Sequence, residues 1–331
     1  MNSNIAFETH IIQAAILKAV LRSEAKELSF RELESVAGYD HRSIKNAVED
    51  LRDSGVGEIA RGSFAVSELP DLILPAIVLN GLKSRSMGKR IFAYKSIGST
   101  NDTARRIADT DSPEGTMVIA EKQTRGRGRL GRSWQSPHDK GLYFSLILRP
   151  RVPIDHIPGI SLAAALSICR TAESLTNLEP KIKWPNDCLI GDKKVAGILI
   201  DISAELGKVR HAILGVGINV NTGTRDFSGK IGKLATSLSI EAGRTLFRAD
   251  ILRKFLEEFE GSYRNFQTYG LRFIAPELVK RSSVIGRRIS FIQGRREFTG
   301  TALGYDESGG LRVKVKDSVR TLSGGEVTIK K

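Results

Sequence analysis

The sequence predicts an α+β protein built in three parts: a helical module ending in a hairpin, a larger mixed α/β region and a small all-β end. Three observations carry that expectation. Apolar stripes at helical spacing fill the chain up to Ser54, strand-like and helical runs alternate from about residue 90 to 283, and beyond Arg287 glycines cut the chain into short strands. With 331 residues, 40% of them hydrophobic and 27% charged, the chain has length for roughly two domains and lies far from the composition of disorder.

In the first part, Ile11, Ile12, Ala15, Ile16, Ala19 and Val20 form one helical stripe. Ser29 stands three residues before Glu32, a capping-box spacing that predicts a second helix from Phe30 to Ala37, closed by the turn Gly38-Tyr39-Asp40. Asp40 can cap a third helix, whose stripe is Ile44, Ala47, Val48 and Leu51 and which stops at Ser54-Gly55. Gly57 to Val66 then alternates around Arg61-Gly62 as a two-stranded wing. Helix, glycine turn, helix and hairpin resemble the winged helix-turn-helix family over the whole stretch. That resemblance implies operator DNA as a partner, read by the N-terminal end of the third helix, where His41, Arg42, Ser43, Lys45 and Asn46 offer contacts. Helical triplets with a glycine turn also serve as protein-interaction modules.

Leu69 to Arg90 reads as a linker with a short apolar helix. In the region after it, Val118 to Ala120, Leu142 to Leu148, Val195 to Ile202 and Ala212 to Val220 are strand-like, whereas Asn101 to Ala108, Ile160 to Leu175 and Ala249 to Phe266 are helical. Gly294, Gly300, Gly304, Gly309-Gly310 and Gly324-Gly325 punctuate the last part at the density of a small β-barrel. The expected domains are therefore 1–67, 68–283 and 284–331.

The 51 Lys and Arg outnumber the 37 Asp and Glu, a formal charge of +14 that favours phosphate-bearing or polyanionic partners, although most of it is solvated surface. The longest apolar runs, Leu72 to Leu82 and Ile160 to Cys169, reach about half the length of a spanning helix, so no membrane is expected. Met1 to His10 lacks the pattern of a signal peptide, which predicts a cytoplasmic chain. Cys169 and Cys188 belong to no Cys-x-x-Cys pair and the five histidines are scattered, so neither a disulfide framework nor a protein-bound metal is expected.

The most unusual segment is Gln123-Thr-Arg125-Gly126-Arg127-Gly128-Arg129-Leu130-Gly131-Arg132-Ser-Trp134. Its glycines satisfy G-x-G-x-x-G, yet Pro137 follows, no helical period begins there and no acid stands about 20 residues on, so a dinucleotide fingerprint is rejected. A flexible Arg/Gly RNA-binding tract would be longer and would lie in a disordered tail. What remains is a loop whose backbone N–H groups and guanidiniums can surround a phosphate or carboxylate, mobile when empty and ordered when filled. Four other segments join it: Ser99-Thr100-Asn101-Asp102, whose hydroxyls also suit a helix cap; Lys183-Trp184-Pro185-Asn186-Asp187; Lys193 to Leu199, with Gly197 open to a close approach; and Gly215-Val216-Gly217-Ile218-Asn219-Val220-Asn221.

In this order and spacing the five segments closely resemble biotin-protein ligase, in its bifunctional ligase and repressor form because the first module is present. The resemblance implies a central ligase domain of the biotin/lipoate ligase type, an SH3-like C-terminal barrel, and the activity of a biotin-[acetyl-CoA-carboxylase] ligase. Biotin and MgATP would give biotinyl-5'-AMP, and a lysine of a biotin carboxyl carrier protein would then take the biotinyl group. It further implies that Lys194, Arg129 and Asp187 are catalytic, Asp187 being equally readable as a turn residue. Ser99, Thr100, Asn101, Gln123, Arg127, Gly128, Arg129, Trp134, Lys194, Gly197, Gly215 and Asn219 would hold biotin and its adenylate. The adenylate would act as co-repressor of biotin synthesis genes on a homodimer. A ligase that no longer regulates transcription and a lipoate or octanoate ligase are the alternatives.

Overall fold

The computed structural model describes residues 3–205, 207–229 and 231–330. The N-terminal module runs through α1 (Ser3–Arg22), β1 (Glu27–Ser29), α2 (Phe30–Ala37), α3 (His41–Asp53), β2 (Glu58–Ala60) and β3 (Ser63–Ala65). Ser29 and Glu32 close the expected capping box on α2, Gly38 ends that helix in the left-handed region, and the Asp40 carboxylate accepts the Ser43 N–H to cap α3. These short polar side chains satisfy helix-end N–H groups that would otherwise lack partners. The hairpin expected between Gly57 and Val66 forms as β2 and β3 and is joined by β1, giving a three-stranded sheet in the order β1-β3-β2. Three residues are too few to display alternation, so β1 owes its conformation to β3.

The core of this module does not end with the wing. Ile16, Leu17, Leu33, Ile44, Val48, Leu51 and Phe64 share one apolar cluster with Ala76 and Ile77 of α4 (Pro75–Leu79) and with Ala249. The linker helix and a distant helix terminus thus seat the module on the rest of the chain.

The central region comprises β4 (Ile91–Tyr94), α5 (Thr100–Ala108), β5 (Met117–Ala120), β6 (Gly141–Leu148), α6 (Ile157–Thr176), β7 (Lys181–Lys183), β8 (Asp187–Ile190), β9 (Lys193–Glu205), β10 (Lys208–Asn219), α7 (Ile231–Leu234), α8 (Leu238–Ala242), α9 (Arg248–Tyr269) and α10 (Ala275–Arg281). Its strands form one seven-stranded sheet, β4-β5-β6-β10-β9-β8-β7, in which only β4 and β5 run parallel. Buried Ala104 and Ala108 of α5 meet Val118, Ile147 and Ile213 on one face. On the other, α6 is buried along most of its length and lies against α9, where Gly159 leaves no room for a Cβ beside the Phe266 ring. Alternating strand residues therefore divide between two apolar layers, and helix termini and strand ends remain free to carry polar groups.

The last part folds as β11 (Arg288–Gln293), β12 (Arg296–Tyr305), β13 (Leu311–Val315), β14 (Ser318–Leu322) and β15 (Val327–Ile329), an antiparallel sheet in the order β14-β13-β12-β11-β15. Its buried Ile289, Ala302, Leu311 and Val313 belong to the same core as the central sheet. Among the described residues no helix is long and apolar enough to cross a membrane.

Candidate functional site

The floor of the site is a chain of hydrogen bonds where α5 begins over the central sheet. Ser99 occupies the N-cap position, but its hydroxyl makes no capping bond, so the helix-cap reading of this segment is not realised. The Thr100 N–H and hydroxyl instead donate to Gln123 Oε1 at 2.9 and 3.1 Å, and Gln123 Nε2 donates to the Ser136 hydroxyl. Ser145 Oγ lies 2.8 Å from Thr100 Oγ1 and 2.6 Å from Asn101 Oδ1, and Asn101 Nδ2 donates to Asp201. Polar groups this deep are fixed in position because each unmade bond would cost free energy.

The strand glycines serve these side chains. A Cβ on Gly215 would lie 2.1 Å from Asn101 Oδ1, one on Gly217 2.5 Å from the Trp134 ring, and one on Gly197 2.9 Å from both Trp134 and the Lys194 ammonium. The close approach expected at Gly197 is thus made by two of the protein's own side chains.

The Arg/Gly segment forms the wall. It folds as a tight hairpin in which Gly128 N–H donates to Arg132 O and Trp134 N–H to Gly126 O, with Leu130 and Gly131 at positive φ. Arg127 reaches the carboxylates of Asp201 at 2.8 Å and Asp102 at 3.0 Å. Arg129 donates to Asn186 Oδ1 at 3.0 Å; burial lowers the pKa of its guanidinium, against the pull of Asp187 and Glu326. Arg132 turns outward to Glu326, which immediately precedes the last strand of the chain, Val327–Ile329. The indole N–H of Trp134 is buried without a hydrogen-bond partner.

Lys183-Trp184-Pro185-Asn186-Asp187 anchors the far side. Trp184 precedes a cis peptide bond, is buried, and donates its indole N–H to Gly309 O, which fastens the turn to the C-terminal sheet. Asn186 exchanges two bonds with Ile198, so its Oδ1 faces Arg129. Asp187 pairs with Lys194 at 2.6 Å, and the ammonium lies 5.2 Å from the centre of the Trp134 ring.

Two adjoining clefts result. Of the residues expected to hold ligand, Ser99, Thr100, Asn101, Gln123, Arg127, Gly128, Arg129, Trp134, Lys194, Gly197 and Gly215 line the first, a polar cleft with about 50 Å³ of free volume. Asn219 lies in the second, an apolar cleft of about 220 Å³ that Trp134 and Lys194 also border. Sequence reasoning missed Asn186 and Asp201 as well as Phe227, Ile231 and Leu234 of the second cleft. Asn186 was within reach inside a motif already noticed, whereas the apolar trio has no periodicity and Asp201 looks like any charge on a strand.

In the N-terminal module the five expected DNA contacts divide. His41 is held by Glu34 at 2.6 Å and lies against Phe30, and Ser43 donates to Asp40, whereas Arg42, Lys45 and Asn46 are exposed.

Residues 93–219 match the model of the biotin/lipoate A/B protein ligase family, and residues 284–330 match that of the biotin protein ligase C-terminal domain. The bifunctional ligase/repressor BirA of Bacillus subtilis (strain 168) is 34% identical over 308 residues, which cover 91% of this chain and 94% of that protein. The biotin--[acetyl-CoA-carboxylase] ligase of Mycobacterium tuberculosis is 29% identical over 268 residues, 78% of this chain and 97% of that one. Among solved structures, the biotin protein ligase from Aquifex aeolicus in complex with biotin and ATP has a TM-score of 0.64 at 29% identity, covering 73% of this chain and 99% of that one.

Proposed function

The chain belongs to the biotin protein ligase family, and from that membership we propose that its two clefts hold biotin and ATP side by side. The enzyme is a biotin-[acetyl-CoA-carboxylase] ligase with biotin and ATP as substrates. The polar cleft, with amide and hydroxyl groups at Asn101, Thr100 and Gln123, suits the ureido head of biotin, and the apolar cleft beyond Trp134 suits adenine. MgATP enters as substrate. The biotin carboxylate then attacks the α-phosphorus, pyrophosphate leaves, and Lys194 and Arg129 screen the two anions as they meet.

The observation that carries this assignment is the convergence of Lys194 and Arg129 on the Asn186-Asp187 turn where the clefts join. It also suggests an order of events. When the ammonium exchanges Asp187 for the ligand's anions, Asp187 is released to orient the incoming lysine amine and accept its proton as the amine attacks the acyl carbon and AMP departs. The acceptor is a lysine of a biotin carboxyl carrier protein.

Lys194→Gln tests the site. Removing one such charge costs about a hundredfold in pyrophosphate release at saturating biotin and ATP. Because the Asp187 pair is only partly buried, stability falls by about 1 kcal/mol. Near-normal pyrophosphate release would remove Lys194 from the site.

The N-terminal module acts as a winged helix-turn-helix that represses biotin synthesis genes, and the C-terminal sheet as an SH3-like barrel that steadies the Arg/Gly loop through Glu326. Support comes from the exposed Arg42, Lys45 and Asn46 at the start of α3 and from the relative named as a ligase/repressor. Ordering of the loop around biotinyl-5'-AMP favours a homodimer and sets two wings at half-site spacing. Gel shifts at one fixed salt concentration, with and without biotin and ATP, are expected to show tighter operator binding with both. Equal affinity would favour a ligase that no longer regulates transcription.

A further inference from the structure

Arg248, the first residue of α9, is fully buried. A buried guanidinium persists only where its donors are met, and here they are met by segments far apart in the chain. Its Nε donates to Asp71 Oδ2 at 3.0 Å and its Nη2 to Asp71 O at 2.6 Å. Its Nη1 donates to Glu121 Oε2 at 2.5 Å and to Gly141 O at 3.2 Å. The Arg248 backbone N–H takes the other Asp71 oxygen, and the Ile73 N–H donates to Glu121 Oε1.

Each partner adjoins one end of the ligand site. Glu121 follows β5 and stands two residues before Gln123, whose amide holds Thr100. Asp71 also accepts from Asn221 Nδ2, two residues beyond Asn219 of the apolar cleft, and the Asn221 N–H donates to Lys140 O, beside Gly141. Phe247 and Ala249, which flank Arg248, pack in the core of the N-terminal module. One guanidinium therefore ties the linker, the start of the polar cleft and the end of the apolar cleft to the seat of that module.

We propose that Asp71 and Arg248 are positioning residues that set the span between the biotin and ATP subsites, so that the linker segment around Asp71 forms part of the ligand-binding machinery. Neither touches substrate. They act through Glu121 on Gln123 and through Asn221 on Asn219. By reciprocity, any change in span on ligand binding also works against the seat of the N-terminal module.

This rests on the placement of biotin and ATP given above, and wild-type protein that released no pyrophosphate would overturn that placement instead. The test compares full-length Asp71→Asn with Glu173→Gln, which likewise removes one carboxylate partner from an arginine, Arg281, remote from the clefts. Asp71→Asn is expected to raise KM for both biotin and ATP by roughly fivefold to tenfold with kcat within about twofold, while Glu173→Gln leaves both KM values unchanged at a similar loss of Tm. Unchanged KM values in Asp71→Asn, a change for one substrate alone, or equal changes in both variants would overturn the proposal. Should Asp71→Asn fail to fold, Asp71→Glu keeps the charge, moves it by one methylene and is judged by the same outcomes.

Discussion

Gly215 shows how closely the site is fitted at the scale of a residue. Gly215→Ala would drive a methyl group into the Asn101 amide, 2.1 Å away, and Asn101 has no slack because it is bonded to both Ser145 and Asp201. Overpacking of this kind costs about 1–3 kcal/mol. Its expected signature is a rise in KM for biotin larger than that for ATP, measured by pyrophosphate release. His211 makes a different prediction. It is 1% exposed on β10, neither ring nitrogen has a partner, and burial lowers its pKa, Arg149, Arg210 and Arg105 adding to the effect and Asp109 opposing it. The unfolded chain then binds the proton more readily than the folded one. Stability is fully present above the unfolded pKa of about 6.5 and falls below it by up to about 1.4 kcal/mol per pH unit. Thermal unfolding of His211→Leu is expected to lose that acid sensitivity; an unchanged profile would place its origin elsewhere. The residues that line the candidate clefts were largely legible because phosphate and carboxylate chemistry calls for Arg, Lys and Gly in unusual density. Asp71, Glu121 and Arg248 were not, since they meet only after folding and 177 positions separate the first from the last.

At the scale of elements, helix ends were the most readable features. The capping box at Ser29 and the cap at Asp40 follow local chemistry, and both carboxyl groups, Glu32 and Asp40, have pKa values lowered chiefly by hydrogen bonds from serine. Asp40→Ala is expected to lower the stability of the N-terminal module by leaving the first turn of α3 uncapped. Because the cap fixes the start of α3 beside Arg42 and Lys45, weaker operator binding should accompany it in a titration at fixed salt. Unaltered operator affinity would detach α3 from DNA recognition. Long apolar strands buried on both faces, such as β6 and most of β10, were equally plain. The three-residue strand β1 was not, for its conformation is imposed by the strand beside it.

For the whole molecule, the decisive fact is that the N-terminal core borrows Ala76, Ile77 and Ala249, with Leu72, Leu74 and Phe247 packed around it. Removing residues 1–67 would leave these apolar side chains facing water. The truncated protein is expected to release pyrophosphate from biotin and ATP, since both clefts lie beyond Ile97, but to lose operator binding and to associate more readily in light scattering. A truncated protein that stayed monomeric and folded yet could not adenylate biotin would show that the clefts depend on the module itself. Sequence periodicity marked the linker but not this shared core, because the contacts that complete it come from the far end of the central region.

The chain has two tryptophans, and the fold gives them separate surroundings. Trp134 sits in the Arg/Gly hairpin between the clefts with a free indole N–H, whereas Trp184 is bonded to Gly309 at the seam with the C-terminal sheet. The protein thus carries two optical reporters, one between the clefts proposed to hold its ligands and one at the seam with the C-terminal sheet. Trp184→Phe leaves an emission spectrum whose response to biotin and ATP follows the loop alone, and Trp134→Phe leaves one that registers separation of the C-terminal sheet during unfolding.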